Sequence, residues 1–237
     1  MRQPPRPGAP APLARPLPSG AAPARPVARL AASQLRRMRA IVDAAVALAE
    51  KGGFEAVRLR DVAEASGVAL GTLYKYFRSK EDILLFAVHE EAEKLEAVMA
   101  ARPVRGATPS ERTVHFFARA TRGFTRRPNL ARAVVRAIAI GEHDLAVKVA
   151  GFHLRMTRLI VAALRGETTP PGADPGTPIG DARENAIAAT LNRVWFASLV
   201  GWSGGLHSIR EINERTAETA ELLFGDRPEP RASGGRE

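Results

Sequence analysis

Residues Leu59–Ser79 read LRDVAEASGVALGTLYKYFRS. On either side of Gly67, apolar side chains recur at three- and four-residue spacing, over Leu59–Ser66 and about Leu70–Phe77. This predicts two short helices joined by a sharp turn. A helix-turn-helix that reads DNA has this form. Its first helix needs a small residue where the second crosses it. Its turn favours a residue tolerant of positive φ, and its second helix needs an apolar anchor facing back. Ala63, Gly67 and Leu73 fill those places, at spacings of four and six, and Val62 and Val68 complete the small core. The outward face of the second helix then carries Leu70, Gly71, Thr72, Lys75 and Tyr76. Small residues at its start let the backbone approach a major groove, and the others reach bases and phosphates.

Helical patterning continues in both directions. From about Ser33, residues Leu35, Met38, Ile41, Val42, Ala45, Leu48 and Ala49 keep a helical period until Gly52-Gly53 stops the helix. Ser79 begins a long helix with Asp82 placed to reach back, and Ile83, Leu84, Ala87, Val88, Leu95 and Val98 form its inner stripe. Thr108-Pro109-Ser110-Glu111 reads as a second capping box with proline at the first helical position. Helices follow near 109–126, 129–140, 144–165, 181–203 and 207–224, and the loop 166–180 holds four Gly and four Pro. No segment alternates with period two between hairpin turns. The expectation is an all-α fold of about nine helices. A disordered, basic, Pro/Ala-rich tail spans 1–32 and a three-helix helix-turn-helix domain 33–80. A helical ligand-binding and dimerisation domain spans 81–225, and a disordered tail 226–237.

The net charge of the 237 residues is +10, placed unevenly: residues 1–80 carry 14 basic and 5 acidic side chains, the remainder 21 and 20. A basic first third on a near-neutral body points to an anionic partner, nucleic acid before acidic protein. The absence of cysteine removes disulfides, thiol catalysis, iron–sulfur clusters and Cys-built zinc sites. Uninterrupted apolar runs reach six residues, against about 20 for a membrane span. Prolines break up the first thirty residues, so no signal-peptide core forms there. A soluble, cytoplasmic protein without a membrane partner is expected.

The stretch Ile41–Leu85 resembles the DNA-binding domain of TetR-family transcriptional regulators. The resemblance rests on Gly53-Phe54, Asp61-Val62-Ala63, Gly71-Thr72-Leu73-Tyr74-x-x-Phe77 and Ser79-Lys80-Glu81. It implies that Tyr74, Tyr76 and Lys80 hold phosphates and that Ala69, Leu70, Gly71, Thr72 and Lys75 lie nearest the bases of a palindromic double-stranded operator. Where many members place Ser or Thr at the start of the second helix, this chain has Val57-Arg58. That forgoes a cap worth about 1 kcal/mol and offers Arg58 as a charged phosphate contact instead. The basic tail is read as a solvated leader, with Arg25, Arg29, Arg36, Arg37 and Arg39 as the candidates for a minor-groove arm.

The same resemblance implies a small-molecule cavity in the second domain. Among its bulky apolar residues, Phe117, Ile138, Phe152, Met156 and Trp195 are the candidates to line it, and Met and Phe suit an apolar effector. Lys51–Val62 and Asn192–Leu199 are similar to the actinobacterial repressors of cholesterol breakdown. This implies a lipid or steroid acid, or its coenzyme A thioester, as effector. Arg119, Arg122, Arg126 and Arg127 are candidates to meet an acidic headgroup. The last two helices, with Ile187, Leu191, Val194, Trp195, Phe196, Leu199, Val200 and Trp202 and then Ile209, Ile212, Thr216, Ala220 and Leu223, are apolar over a wide arc, which points to a homodimer interface.

Enzymatic readings are weaker. Gly201-Trp202-Ser203-Gly204-Gly205 matches the G-x-S-x-G pattern and offers a helical hydrolase using Ser203 as the alternative function. That motif, however, needs a strand before it, and a helix precedes it here. His89 with Glu93 shares a helix face, and Glu142-His143-Asp144 has metal-like composition, but neither makes a metal site. No cofactor motif is present in the sequence. A repressor that leaves its operator on binding an apolar effector is the expected function.

Overall fold

The computed structural model describes residues 24–141, 143–169 and 179–225, and side chains from residue 32 onward. The expected tails over 1–23 and 226–237, most of the 166–180 loop and Glu142 of the Glu142-His143-Asp144 cluster lie outside the described residues. The described chain is helical without strands: α1 (Ala24–Ala56), α2 (Leu59–Ser66), α3 (Leu70–Tyr76), α4 (Lys80–Ala101), α5 (Pro109–Thr125), α6 (Pro128–Ile140), a single 3-10 turn at His143–Leu145, α7 (Ala146–Arg165), α8 (Ala182–Ser203) and α9 (Ile209–Phe224). The described residues up to Arg36 group as one unit, and those from Arg37 onward as a second, larger one.

The first helix starts at Ala24, nine residues earlier than the apolar period indicated. The segment is rich in Ala and Arg, both strong helix formers, and Pro26 falls in the first turn, where a missing N–H costs nothing. Residues 24–32, expected as tail, are therefore helical. The helix breaks where its glycines stand: Gly53 takes φ 67° and ψ −158°, a combination open to a residue without Cβ.

The helix-turn-helix forms as its spacing predicts. Gly67 adopts φ 66°, the Gly67 N–H donates to the Glu64 carbonyl at 3.1 Å and the Val68 N–H to the Ala63 carbonyl at 3.0 Å. This paired arrangement ends a helix tightly and needs glycine at the left-handed position. Val62, Leu73 and Phe77 bury against Ile41, Val42, Ala45 and Val57. Arg58 stands at the α2 N-cap without a side-chain cap, as its identity requires.

The larger domain packs α4 on α6 and α7, α5 on α7 and α9, and α8 against α6, α7 and α9. Helix α8 is therefore central. Its Ile187, Leu191, Trp195, Leu199 and Trp202 are buried within one chain, so most of its apolar width serves the monomer core. Val200 stays exposed, and Val194 and Phe196 are half-buried. On α9, Ile212, Thr216 and Ala220 turn inward, whereas Ile209 is exposed. Val98, expected on the inner stripe of α4, is 48% exposed and borders a cavity.

Candidate DNA-binding face and ligand cavity

The exposed edge of the helix-turn-helix presents Arg58, Ala69, Gly71, Tyr74 and Lys75. Thr72 is partly covered, and Leu70 and Tyr76 are half-buried against the core. Tyr74 is the most exposed aromatic of this face at 53%, an uncovered ring with no core to justify it. Open space surrounds the position a Cβ would take at Gly71, so the α3 backbone is free to approach a surface. Two further cations at this end, Arg60 and Arg78, are exposed. Of them, Arg78 reaches Asp144 at 3.5 Å across solvent.

Lys80 is placed differently from its neighbours. Its ammonium lies 3.8 Å from the Phe54 ring centroid, 3.4 Å from the Phe54 carbonyl and 3.7 Å from the Glu55 carboxylate. Arg136 of α6 covers the same ring at 4.6 Å and pairs with Glu55 at 2.8 Å. Two separated motif segments, Gly53-Phe54 and Ser79-Lys80-Glu81, thus meet through Lys80. A phosphate contact requires this side chain to leave or share those partners. Of the arm candidates, Arg36, Arg37 and Arg39 are exposed on the helix itself.

Between α4, α5, α7 and α8 lies a cavity of about 210 Å³, walled by Val88, Ala92, Leu95, Val98, Ala120, Phe124, Phe152, Met156 and Trp195, with Glu91, Arg119 and Arg126 among its polar residues. Three of the five expected lining residues, Phe152, Met156 and Trp195, are therefore brought together. Phe117 and Ile138 are not. Phe117 lies behind Trp195, ring centroids 5.8 Å apart and planes tilted by 47°, and Ile138 is buried in α6 away from the opening. Helical periodicity finds which side chains face inward, not which of them face a void. Leu95 and Val98 were legible as stripe residues, and what marks them as lining, like Phe124, is incomplete burial.

The Trp195 indole N–H donates to the Thr121 hydroxyl at 2.9 Å inside the core, which fixes one wall. Phe124 also borders a second space of about 90 Å³, reached between Asp43 and Val46 of α1, Glu90 of α4 and Leu130 and Val134 of α6. Val88, Glu91, Gly123 and Phe124 are common walls of both spaces. At this junction Arg127 holds Glu50 of α1 at 2.8 Å and Glu91 of α4 at 2.7 Å. The cavity wall is thereby tied by charge to the helix that supports the helix-turn-helix.

The G-x-S-x-G segment ends α8. The Ser203 hydroxyl donates to the Val200 carbonyl of its own helix at 2.8 Å, which is how a serine finishes a helix and not how a nucleophile is presented. His89 meets the Lys148 carbonyl at 2.9 Å, and no group of three metal-ligating side chains occurs among the described residues.

A basic reading helix on the same scaffold as an apolar cavity defines a ligand-responsive, DNA-binding transcriptional regulator. The chain belongs to the TetR family: residues 41–87 match bacterial regulatory proteins of the tetR family, and residues 106–223 match the tetracyclin repressor-like C-terminal domain. It is 36% identical over 200 residues to the HTH-type transcriptional repressor KstR of Rhodococcus jostii, covering 83% of this chain and 88% of that one. This agrees with the resemblance of Lys51–Val62 and Asn192–Leu199 to actinobacterial repressors. Its fold is similar to a TetR transcriptional regulator from Rhodococcus sp. RHA1, with a TM-score of 0.69, 21% identity, and 82% and 98% of the two chains covered. It is also similar to Thermus thermophilus FadR in complex with lauroyl-CoA, with a TM-score of 0.57, 22% identity, and 84% and 100% covered. The protein is a transcriptional repressor and not an enzyme. No helix among the described residues is long and apolar enough to cross a membrane.

Proposed function

We propose that this repressor acts in the cytoplasm as a homodimer on a palindromic operator and leaves it when an apolar carboxylic acid, or its coenzyme A thioester, fills the cavity. The observation that carries this reading is the chemistry of the walls. Leu95, Val98, Phe124, Phe152, Met156 and Trp195 offer a greasy channel, with arginines Arg119 and Arg126 at the same site. That pattern fits a long apolar tail ending in an anion. The lauroyl-CoA held by the Thermus relative belongs to this chemical class. At about 210 Å³ the space is below the roughly 300–1,000 Å³ of a ligand site. Rotation of Phe124 would join it to the neighbouring 90 Å³, so filling the cavity and disturbing the Glu91–Arg127–Glu50 link are one event. Such a ligand shifts the equilibrium only by its preference for the state that does not fit the operator.

The α3 face supports the operator assignment, with Ala69, Leu70, Gly71, Thr72 and Lys75 toward bases and Arg58, Tyr74, Tyr76 and Lys80 toward phosphates. Lys75→Ala is expected to weaken the operator more than random duplex. Lys80→Ala is expected to weaken both alike and to lower the salt slope by about 1. Unchanged affinity and slope in both variants would remove the assignment. Titrating fatty acyl and steroid acids and their thioesters into the protein–operator complex tests the effector. Release by a small polar metabolite and by none of these would overturn the apolar-effector reading.

A further inference from the structure

At the root of the reading head, one aromatic ring and one carboxylate serve two cations. The Phe54 ring, 8% exposed near the end of α1, has the Lys80 ammonium 3.8 Å from its centroid and the Arg136 guanidinium 4.6 Å from it. The Glu55 carboxylate is divided in the same way: its Oε1 meets Arg136 at 2.8 Å and its Oε2 meets Lys80 at 3.7 Å. Phe54 and Glu55 belong to α1, Lys80 opens α4 and Arg136 stands on α6, so three helices meet at this point.

The two cations are not held equally. A charge-assisted N–H···O bond is about 2.7–2.9 Å long. Arg136 reaches that length on Glu55 and Lys80 does not. The bond from Lys80 to the Phe54 carbonyl is also long, at 3.4 Å. Arg136 thus occupies Glu55, and its charge repels the Lys80 ammonium at the ring they share. A loosely tied ammonium moves to another anion at little cost. Without Arg136, both oxygens of Glu55 would be open to Lys80, and a closer ion pair would have to break before the ammonium met a DNA phosphate.

We propose that Arg136 is a positioning residue for DNA binding: by taking Glu55, it keeps the Lys80 ammonium available to a backbone phosphate. Arg136 itself touches no DNA and acts through Lys80. Arginine suits this task because its planar fork pairs with a carboxylate and also stacks on an aromatic face. The inference rests on the assignment of Lys80 to a phosphate made above. It adds a residue outside the helix-turn-helix that sets how readily that contact forms.

The test measures binding of the full-length protein to a fluorescent duplex of random sequence over a range of salt concentrations, because a phosphate contact carries no sequence information. Arg136→Ala should weaken binding about two- to fivefold, the range of an exposed ion pair. The loss should vanish in a Lys80→Ala background. It should be reversed by Glu55→Gln, which removes the competing carboxylate, and Glu55→Gln should gain less in the parent, where Arg136 already holds that carboxylate. Unchanged affinity in Arg136→Ala overturns the proposal. So does an equal loss in the Lys80→Ala background: with a salt slope lowered by about 1 it would make Arg136 a phosphate contact in its own right, and with the slope unchanged a purely structural residue. Binding by Lys80→Ala with the affinity and slope of the unaltered protein instead overturns the phosphate assignment beneath the proposal.

Discussion

Asp82 shows how unequal the two ends of one ion pair are. Its side chain is 3% exposed and meets Lys148 of α7, whose side chain is 49% exposed, and it also accepts the Arg78 N–H at 3.1 Å. Removing the lysine strands a buried carboxylate, whereas removing the carboxylate leaves a solvated ammonium. Lys148→Ala is therefore expected to cost more than its exposure suggests, about 2–4 kcal/mol. A double-mutant cycle with Asp82→Ala, followed by chemical denaturation, should show strong coupling; additive effects would contradict this reading. Trp195 is the other telling residue. Full truncation to Ala would cost about 3–5 kcal/mol and confuse loss of response with loss of fold. Trp195→Phe keeps most of the wall, removes the bond to Thr121 and should cost about 1–3 kcal/mol, lowering the melting temperature by several degrees. Operator affinity without effector should be unchanged and the effector response blunted.

Among the elements, two helix junctions carry groups that titrate, His89 between α4 and α7 and His153 between α7 and α8. Burial lowers the pKa of His89, partly opposed by its bond to the Lys148 carbonyl. Burial and then the nearby Arg193 lower that of His153, whose ring also lies against Phe152 and Phe196. A histidine with a depressed folded pKa takes its proton more readily when unfolded. Its contribution is thus complete above the unfolded value, about 6.5, and is lost as pH falls through the folded value. Unfolding free energy should fall from pH 7 toward 5, and less so in His153→Gln. An identical pH slope in variant and parent would show that His153 is not responsible. The elements themselves were largely legible. Ser79 accepts the Asp82 N–H and Thr108 the Glu111 N–H as expected, but Asp82 and Glu111 reach back past the cap to the N–H groups of Arg78 and Ala107. Asp181–Glu184 and Ser208–Glu211 form complete capping boxes. The start of α1 was not legible, because Ala and Arg favour a helix without supplying an apolar period. The cavity was half legible: period places Phe117 and Phe152 alike on inner faces, and only packing between helices leaves a space beside one of them.

At the scale of the whole molecule, a repressor of this kind bridges two half-sites only if its reading helices stand about 34–36 Å apart or a suitable multiple, which makes the dimer part of the DNA site. Helix α8 keeps Val200 exposed and Phe196 half-buried after its own core is satisfied, and α9 adds Ile209. An interface through α8 and α9 predicts that Phe196→Asp with Val200→Asp shifts sedimentation to the monomer and weakens operator binding, with helicity retained. A double variant that remains dimeric would place the interface elsewhere. The joint between cavity and reading head has a mechanical corollary. The Arg127 guanidinium is a flat plate of fixed size, gripped at one nitrogen by Glu50 and at another by Glu91. Held at both edges, it spans the gap between α1 and α4 the way a strut would. If an effector turned α4 at the cavity, this plate is where the turn would be felt by α1.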